Sequence, residues 1–269
     1  MGTYNIEPQT FNTTPRIALT YPCDTSFALP IREQKPATTN RLLKSLSTHL
    51  GRLEPYLKRV SVSGGEFISR PDDAVEWVIF PETTALSELQ ILEDGRTIEV
   101  SLTGFEGATG IPAVFWPAKS VNWIQASLPG VAYKIKRDAL QNLVSSDGWL
   151  NGLFQEALQR YISQISQKVA CNAHHSVEER FSTWLLLLND RCPAQRLKLT
   201  QEQIARVLGV YRPSVTCIAQ SLRDVGLIDY VRGNIVILDH EGLRERGCGC
   251  YFDLSSVDKQ LSPKKAVAV

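Results

Sequence analysis

The chain has 269 residues, 43% of them hydrophobic and 21% charged, which suits one large soluble domain or two ordinary ones. Its 29 Lys and Arg against 28 Asp and Glu leave a net charge of +1. That argues against a polycation that coats nucleic acid without selectivity, but allows a local basic face. No apolar run approaches the roughly 20 residues of a membrane helix, and no charged-then-apolar leader pattern opens the chain. The six cysteines are too scattered for a disulfide framework. Reduced thiols and a cytoplasmic location are therefore expected.

Residues 1–36 are rich in Thr, Pro and Asn, show no sustained period, and read as a flexible N-terminal arm. Leu42, Leu43, Leu46, Leu50 and Leu53 predict a helix from Arg41 to Tyr56, ending near Pro55. From Val60 to Lys136 the pattern changes to short strands broken by Gly and Pro. Trp77–Phe80 reads as a buried strand stopped by Pro81. Leu86–Ile91 and Thr97–Leu102 flank Asp94-Gly95, a strong hairpin signal. Val121–Ala126 and Val131–Ile135 are expected to form another pair, turning at Pro129-Gly130. Strands this short and this closely spaced predict a sandwich or barrel.

Helical spacing returns at Asp138. From Trp149 to Val169 the apolar positions include Leu150, Leu153, Phe154, Ala157, Leu158, Tyr161, Ile162 and Ile165. This seam is wider than a two-per-heptad stripe. It must bury itself on the β domain, on a second copy of the helix, or on both. Ser176 and Glu179 form a capping box that opens a further helix, with Phe181, Trp184, Leu185 and Leu188 as its core face and Pro193 closing it.

Thr200 to Gly226 is the most informative stretch. Thr200 and Gln203 can form a second capping box, and Ile204, Val207 and Leu208 make an apolar face. Gly209 suits the left-handed residue that ends a helix. Pro213 suits the first turn of the next helix, and Val215, Ile218 and Leu222 bury it. Two short helices joined through a glycine form a helix-turn-helix, the layout that seats its second helix in the DNA major groove. Leu227–Val231 and Ile235–Leu238 around Arg232-Gly233-Asn234 predict a hairpin wing. His240–Arg246 reads as a last short helix, and the chain beyond Ser255 as a polar tail.

Cys171-Asn172, His175-Ser176-Val177-Glu178-Glu179-Arg180-Phe181, Trp184-Leu185-Leu186, Leu199-Thr200-Gln201-Glu202 followed by Leu208-Gly209-Val210-Tyr211-Arg212, and Gly226-Leu227-Ile228-Asp229-Tyr230-Val231-Arg232-Gly233 resemble the C-terminal half of Crp/Fnr-type transcription regulators. The resemblance spans roughly Ala170 to Tyr251; the β-rich half matches in layout more than in motif. It implies an α+β chain: a cyclic-nucleotide-binding-like β-barrel (jelly-roll) effector domain at 37–146, a dimerisation helix at 147–171, a winged helix-turn-helix at 172–255, and a polar tail at 256–269. It further implies a homodimer on a palindromic duplex site, with RNA polymerase as a further partner, and a signal sensed in the barrel. Leu150, Phe154, Ala157, Leu158, Tyr161 and Ile165 are the expected dimer contacts.

By the same resemblance the recognition helix opens at Arg212-Pro213-Ser214. Arg212 is the leading base reader, because its planar fork matches guanine O6 and N7. Ser214, Thr216 and Cys217 follow. Family members often carry an arginine where Cys217 stands, so a different operator sequence is implied. Tyr211, Arg206 and the wing's Arg232 are expected on phosphate, with Thr200 at the entry of the first helix. From Arg196 to Arg246 there are eight Lys and Arg against six Asp and Glu, so binding should rest on a few placed cations.

Cyclic-nucleotide members use a glycine-glutamate pair followed closely by arginine and a small hydroxyl residue: the arginine neutralises phosphate and the acid holds the ribose. Here Gly104, Glu106, Gly107 and Thr109 are followed only by Lys119-Ser120, at longer spacing and with Trp116 and Pro117 between. Lysine is a poor substitute for a bidentate fork, so a cyclic nucleotide is not expected and these six residues form at best a weak effector site for an unknown small molecule. Cys23 stands alone near the N-terminus, which argues against an iron–sulfur cluster. Haem stays open, since one His or Cys suffices to ligate it. Cys248-Gly249-Cys250 with Cys171 fits metal binding or oxidation sensing. However, a Cys-x-Cys pair lacks the usual two-to-four-residue gap of zinc sites, and the adjacent His174 and His175 diverge on a helix. No metal is expected on this spacing. No nucleophile elbow, phosphate loop, HExxH or paired carboxylates are found. The competing class is a ligand-binding β-domain protein or enzyme whose C-terminal helix pair is structural.

Overall fold

The structure, a computed structural model, describes residues 38–257 apart from 47–48, 117–118 and 193–195. The predicted arm at 1–36, Cys23, Pro117, Pro193 and the tail from 258 onward lie outside the described residues.

The Asn40 side chain accepts the Leu43 amide and caps α1 (Arg41–Ser45). The single helix expected through Tyr56 is instead divided. α2 (Leu50–Leu53) is a separate turn that passes into a 3₁₀ turn at Glu54–Tyr56. The division lets Leu42, Leu43, Leu46 and Leu53 all enter one core.

The β region contains two antiparallel sheets. β1 (Lys58–Val62), β7 (Gly130–Lys136) and β3 (Trp77–Pro81) form one, in the order β1-β7-β3. β2 (Phe67–Ser69), β6 (Trp123–Ala126), β4 (Leu86–Ile91) and β5 (Thr97–Thr103) form the other, in the order β2-β6-β4-β5. Ile79, Leu86, Ile124, Ala126 and Ala132 pack between them. The hairpin read from Asp94-Gly95 is present as β4–β5, with a register shift between Glu88 and Leu89. The pairing expected between Val121–Ala126 and Val131–Ile135 is not. β6 pairs with β2 and β4, whereas β7 pairs with β1 and β3. The reason is a double corner. Residues 82–85 and 127–129 cross between sheets side by side, tied by Ser127 N to Ala85 O at 2.8 Å, Thr84 Oγ1 to Leu128 O at 2.6 Å, and the Glu82 and Thr83 amides to Val131 O.

α3 (Pro112–Phe115), α4 (Arg137–Ser145) and α5 (Gly148–His174) follow, the last capped by the Asp147 carboxylate on the Trp149 and Leu150 amides. The 27 residues of α5 span about 40 Å. Its face is split. Leu150, Leu153, Phe154 and Ala157 are buried within the chain, so the dimer contacts expected at Leu150, Phe154 and Ala157 are already occupied. Leu158, Tyr161 and Ile165 are half-buried, and the Tyr161 hydroxyl donates to Glu88 Oε2 at 2.7 Å. Burial pushes the Glu88 carboxyl above its ordinary range.

α6 (Val177–Arg191) begins at the predicted Ser176–Glu179 capping box. β8 (Leu197–Lys198), α7 (Gln201–Leu208), α8 (Arg212–Asp224), β9 (Ile228–Val231), β10 (Asn234–Ile237), α9 (His240–Arg246) and α10 (Cys250–Val257) complete the order. In this C-terminal part β8 and α10 were not expected; β8 adds an edge to the wing, giving the order β8-β10-β9. The C-terminal core crosses the expected domain boundary: Ala85, Leu89, Leu102 and Leu128 of the β region share one buried cluster with Trp184, Leu185, Leu188 and Ile204. No helix among the described residues is long and apolar enough to cross a membrane.

Candidate nucleic-acid interface

Thr200 accepts the Gln203 amide and Gln203 reaches back to the Thr200 amide, so the predicted capping box starts α7. Gly209 ends α7 with φ 66°, and Tyr211 is the N-cap of α8. Val215, Ala219 and Leu222 bury one side of α8. Arg212, Pro213, Ser214, Thr216 and Cys217 are all exposed on the other, and Tyr211 is 80% exposed at the helix start. These are the residues expected to meet DNA, and they lie together. Gln201 is the residue that sequence reasoning missed. Its Oε1 accepts from Arg212 Nε at 3.2 Å and from Thr216 Oγ1 at 3.0 Å, so the first turn of α7 aims two side chains of α8. The sequence placed it in the Leu199-Thr200-Gln201-Glu202 motif, directly after a capping threonine, but gave it no role.

The flanking cations are less uniform. Arg206 is drawn to Glu202 one turn away at 3.6 Å. Arg232 sits exposed at the wing tip with φ 51°, followed by Gly233 with φ 79°. Positive φ at both central residues is the geometry of a two-residue hairpin turn that follows the strand twist. The exposed Thr200 uses its hydroxyl in the cap, donating to Gln203 Oε1 and accepting the Gln203 amide. Opposite α8's start, the β4–β5 tip at Asp94–Thr97 faces Glu202, Arg206 and Gly209–Pro213 across a cleft of about 590 Å³.

Residues 179–246 match the family model of Crp-like helix-turn-helix domains. This part of the chain is a Crp-like helix-turn-helix domain. No curated protein matches the sequence. Solved structures match the fold. A CRP-family transcriptional regulator of Thermus thermophilus has a TM-score of 0.59 at 20% identity, covering 70% of this chain and 95% of that one. The c-di-GMP-responsive global regulator CLP of Xanthomonas campestris has 0.59 at 16%, covering 72% and 99%. FixK2 of Bradyrhizobium japonicum has 0.59 at 17%, covering 72% and 98%. The antiparallel sheets, long helix and Crp-like domain are thus arranged as in Crp/Fnr regulators.

The residues considered for an effector are not gathered into one site. Glu106 and Gly107 line a cavity against α5 with Leu42, Arg160, Tyr161 and Gln164, but it holds only about 50 Å³. That is room for about one or two waters, whereas ligand pockets are typically about 300–1,000 Å³. Thr109 is buried in a bridge to Ile79. Lys119 lines a separate cleft with Glu76, Lys136 and Arg137, and Ser120 bonds to Asn122 O. Gly104 and Glu106 instead join the β region to the Crp-like domain. Glu106 Oε1 accepts from the Gly104 amide and lies 3.4 Å from Arg191 Nε, while Arg191 Nη1 donates to Leu102 O and Phe105 N donates to Arg191 O. A Cβ at position 104 would stand 2.6 Å from Arg191 Cβ and closer still to its carbonyl oxygen. Gly104→Ala is therefore expected to destabilise the chain by about 1–3 kcal/mol, the usual cost of overpacking. Urea denaturation checks this; an unchanged midpoint would deny the close approach.

A second polar cluster lies where the Crp-like domain meets the long helix. Cys171 Sγ is 3.6 Å from Cys248 Sγ, and Cys250 Sγ is 3.5 Å from His175 Nδ1. The hydrogen bond from Cys171 holds the Cys248 thiol below its ordinary range, and the same bond pushes Cys171 up. On the Cys-x-Cys spacing and the adjacent His pair no metal is expected; the structure separates the two histidines. His174 is exposed, while His175, at the break between α5 and α6, turns alone toward the three thiols.

Proposed function

We propose that the protein is a sequence-specific DNA-binding transcription regulator that acts as a homodimer, with α8 in the major groove of a two-fold symmetric site. The observation that carries this reading is the Arg212–Gln201–Thr216 arrangement at the exposed start of α8, on a Crp-like domain. Arg212 serves as base reader, Ser214, Thr216 and Cys217 as its neighbours, and Tyr211, Arg206 and Arg232 as phosphate contacts. Selection from a random duplex library tests it. The expected result is a symmetric site with half-sites about one helical turn apart. No retention on any duplex at low salt would overturn the reading and favour a β-domain ligand binder.

The dimer face differs from the one drawn from hydrophobicity. Gln155, Gln159, Ile162, Ser166, Val169 and Ala173 repeat at four- and three-residue steps along α5, and all are exposed. Ile162 is 50% and Val169 62% exposed. The hydroxyls of Ser163 and Ser166 bond back to the carbonyls of Gln159 and Ile162, which spares them desolvation in a close helix contact. A two-per-heptad stripe of this kind suits pairing with a second α5. Val169→Glu is expected to give a monomer in sedimentation and to weaken duplex binding at least tenfold, because each half-site then binds alone. A dimer of unchanged strength would reject this face. In this reading a signal reaches DNA by shifting the Arg191–Leu102 and Glu106 contacts that fix the Crp-like domain to the sheets.

A further inference from the structure

Two segments distant in sequence, contributing three pieces of backbone, converge behind the Crp-like domain. They are the last turn of α5 with Cys171, the α5–α6 break with His175, and the turn into α10 with Cys248 and Cys250. One donor atom from each of the four residues lies within 4.8 Å of all the others, and the three cysteines are buried. We infer that Cys171, His175, Cys248 and Cys250 bind one zinc ion as a closed Cys₃His structural site.

The distances carry the identity of the ligand. Tetrahedral zinc with Zn–S near 2.3 Å and Zn–N near 2.0–2.1 Å has S···S edges of about 3.8 Å and S···N edges of about 3.5 Å. The observed 3.6 Å between Cys171 and Cys248 and 3.5 Å between Cys250 and His175 are edges of that size. Four donors this close surround a single ion; an iron–sulfur cluster holds its thiolates farther apart. Three soft thiolates and an imidazole select zinc over magnesium or calcium. Four protein ligands leave no open position, so the role is structural rather than catalytic.

The surroundings favour thiolates. The Thr183 hydroxyl accepts the Cys248 amide at 2.9 Å, which leaves its own proton for Cys248 Sγ at 3.2 Å. Gln167 Nε2 donates to Cys250 Sγ at 3.1 Å. Such donors orient and stabilise metal-bound sulfur. On binding, the thiol protons pass to solvent and no electrons move. The spacing that argued against zinc loses its force here, because Cys171 and His175, one helical turn apart, supply the half of the site that Cys248-Gly249-Cys250 cannot. The ion ties the α5–α6 joint to the start of α10, whatever the Crp-like domain binds.

The test uses the full chain, purified reduced and without exposure to metal resins. Elemental analysis is expected to find about one zinc per chain, and cobalt exchanged into the site to give the intense charge-transfer and visible bands of tetrahedral thiolate ligation. Stripping the metal is expected to lower Tm by more than about 5 °C. Cys250→Ser and His175→Gln should each reduce zinc below about a tenth per chain, while Cys192→Ser keeps it. If those variants fold poorly, the cobalt titration of the unaltered chain decides alone. A fully reduced chain that takes up neither zinc nor cobalt overturns the inference. So does iron with acid-labile sulfide.

Discussion

Arg212→Ala is expected to weaken binding to the selected duplex by about 1–3 kcal/mol, some 5- to 150-fold, while affinity for a scrambled duplex changes only about two- to threefold. A bidentate arginine–guanine contact exists only on the right sequence, whereas a phosphate contact exists on every sequence. The side chain is oriented in advance, because Gln201 Oε1 already holds Nε of the exposed Arg212. Gln201→Ala should therefore reproduce part of the loss without removing any charge. Fluorescence anisotropy on both duplexes at two salt concentrations separates the cases. Equal loss on both, with the salt slope reduced by about one, would make Arg212 a phosphate contact instead.

Local chemistry explains what the sequence revealed. Both capping boxes, the Gly209 stop, Pro213 in the first turn of α8 and the wing turn at Arg232-Gly233 each depend on residues within a few positions of one another. The β4–β5 hairpin is local in the same way. The β6–β7 pairing failed because a turn signal at Pro129-Gly130 says that the chain bends but not whether it stays in its sheet. The corner is set by residues 82–85, more than 40 positions away.

The long helix shows a second limit. One broad apolar seam was visible, yet its two uses were not separable. Leu150, Phe154 and Ala157 face the chain's own core, and the weaker stripe through Ile162, Ser166, Val169 and Ala173 is the one left exposed. Hydrophobicity favours the larger residues for any interface, but the intramolecular core claims them first. The cysteine cluster was hidden for another reason. Its halves are separated by more than 70 residues, and α10, which carries Cys250, is too short and too weakly periodic to announce itself. Gly104 and Glu106 looked like ligand residues because a glycine-rich turn that meets a phosphate and one that meets a helix backbone use the same residue types.

The largest stability effect is expected at Glu99. Its side chain is fully buried on β5, yet it is an acid surrounded by polar partners. Lys168 Nζ of α5 lies 2.9 Å from Oε1, while Trp184 Nε1 of α6 at 3.0 Å and Ser87 Oγ at 2.6 Å reach Oε2, with Ser127 behind Ser87. One carboxylate thus joins the sheet, the long helix and the Crp-like domain. Glu99→Ala strands a largely covered ammonium and a buried indole N–H together, and removing one partner of a buried pair costs about 3–5 kcal/mol. Glu99→Gln keeps an acceptor for the indole and loses mainly the ion pair, so a smaller loss is expected. Lys168→Met should recover part of the Glu99→Ala defect, because the second change removes the charge that the first left uncompensated. Urea denaturation of the four proteins forms the cycle. A Glu99→Ala loss below about 1 kcal/mol, or strict additivity with Lys168→Met, would mean that apolar packing around Trp184 holds the Crp-like domain to the sheets without this carboxylate.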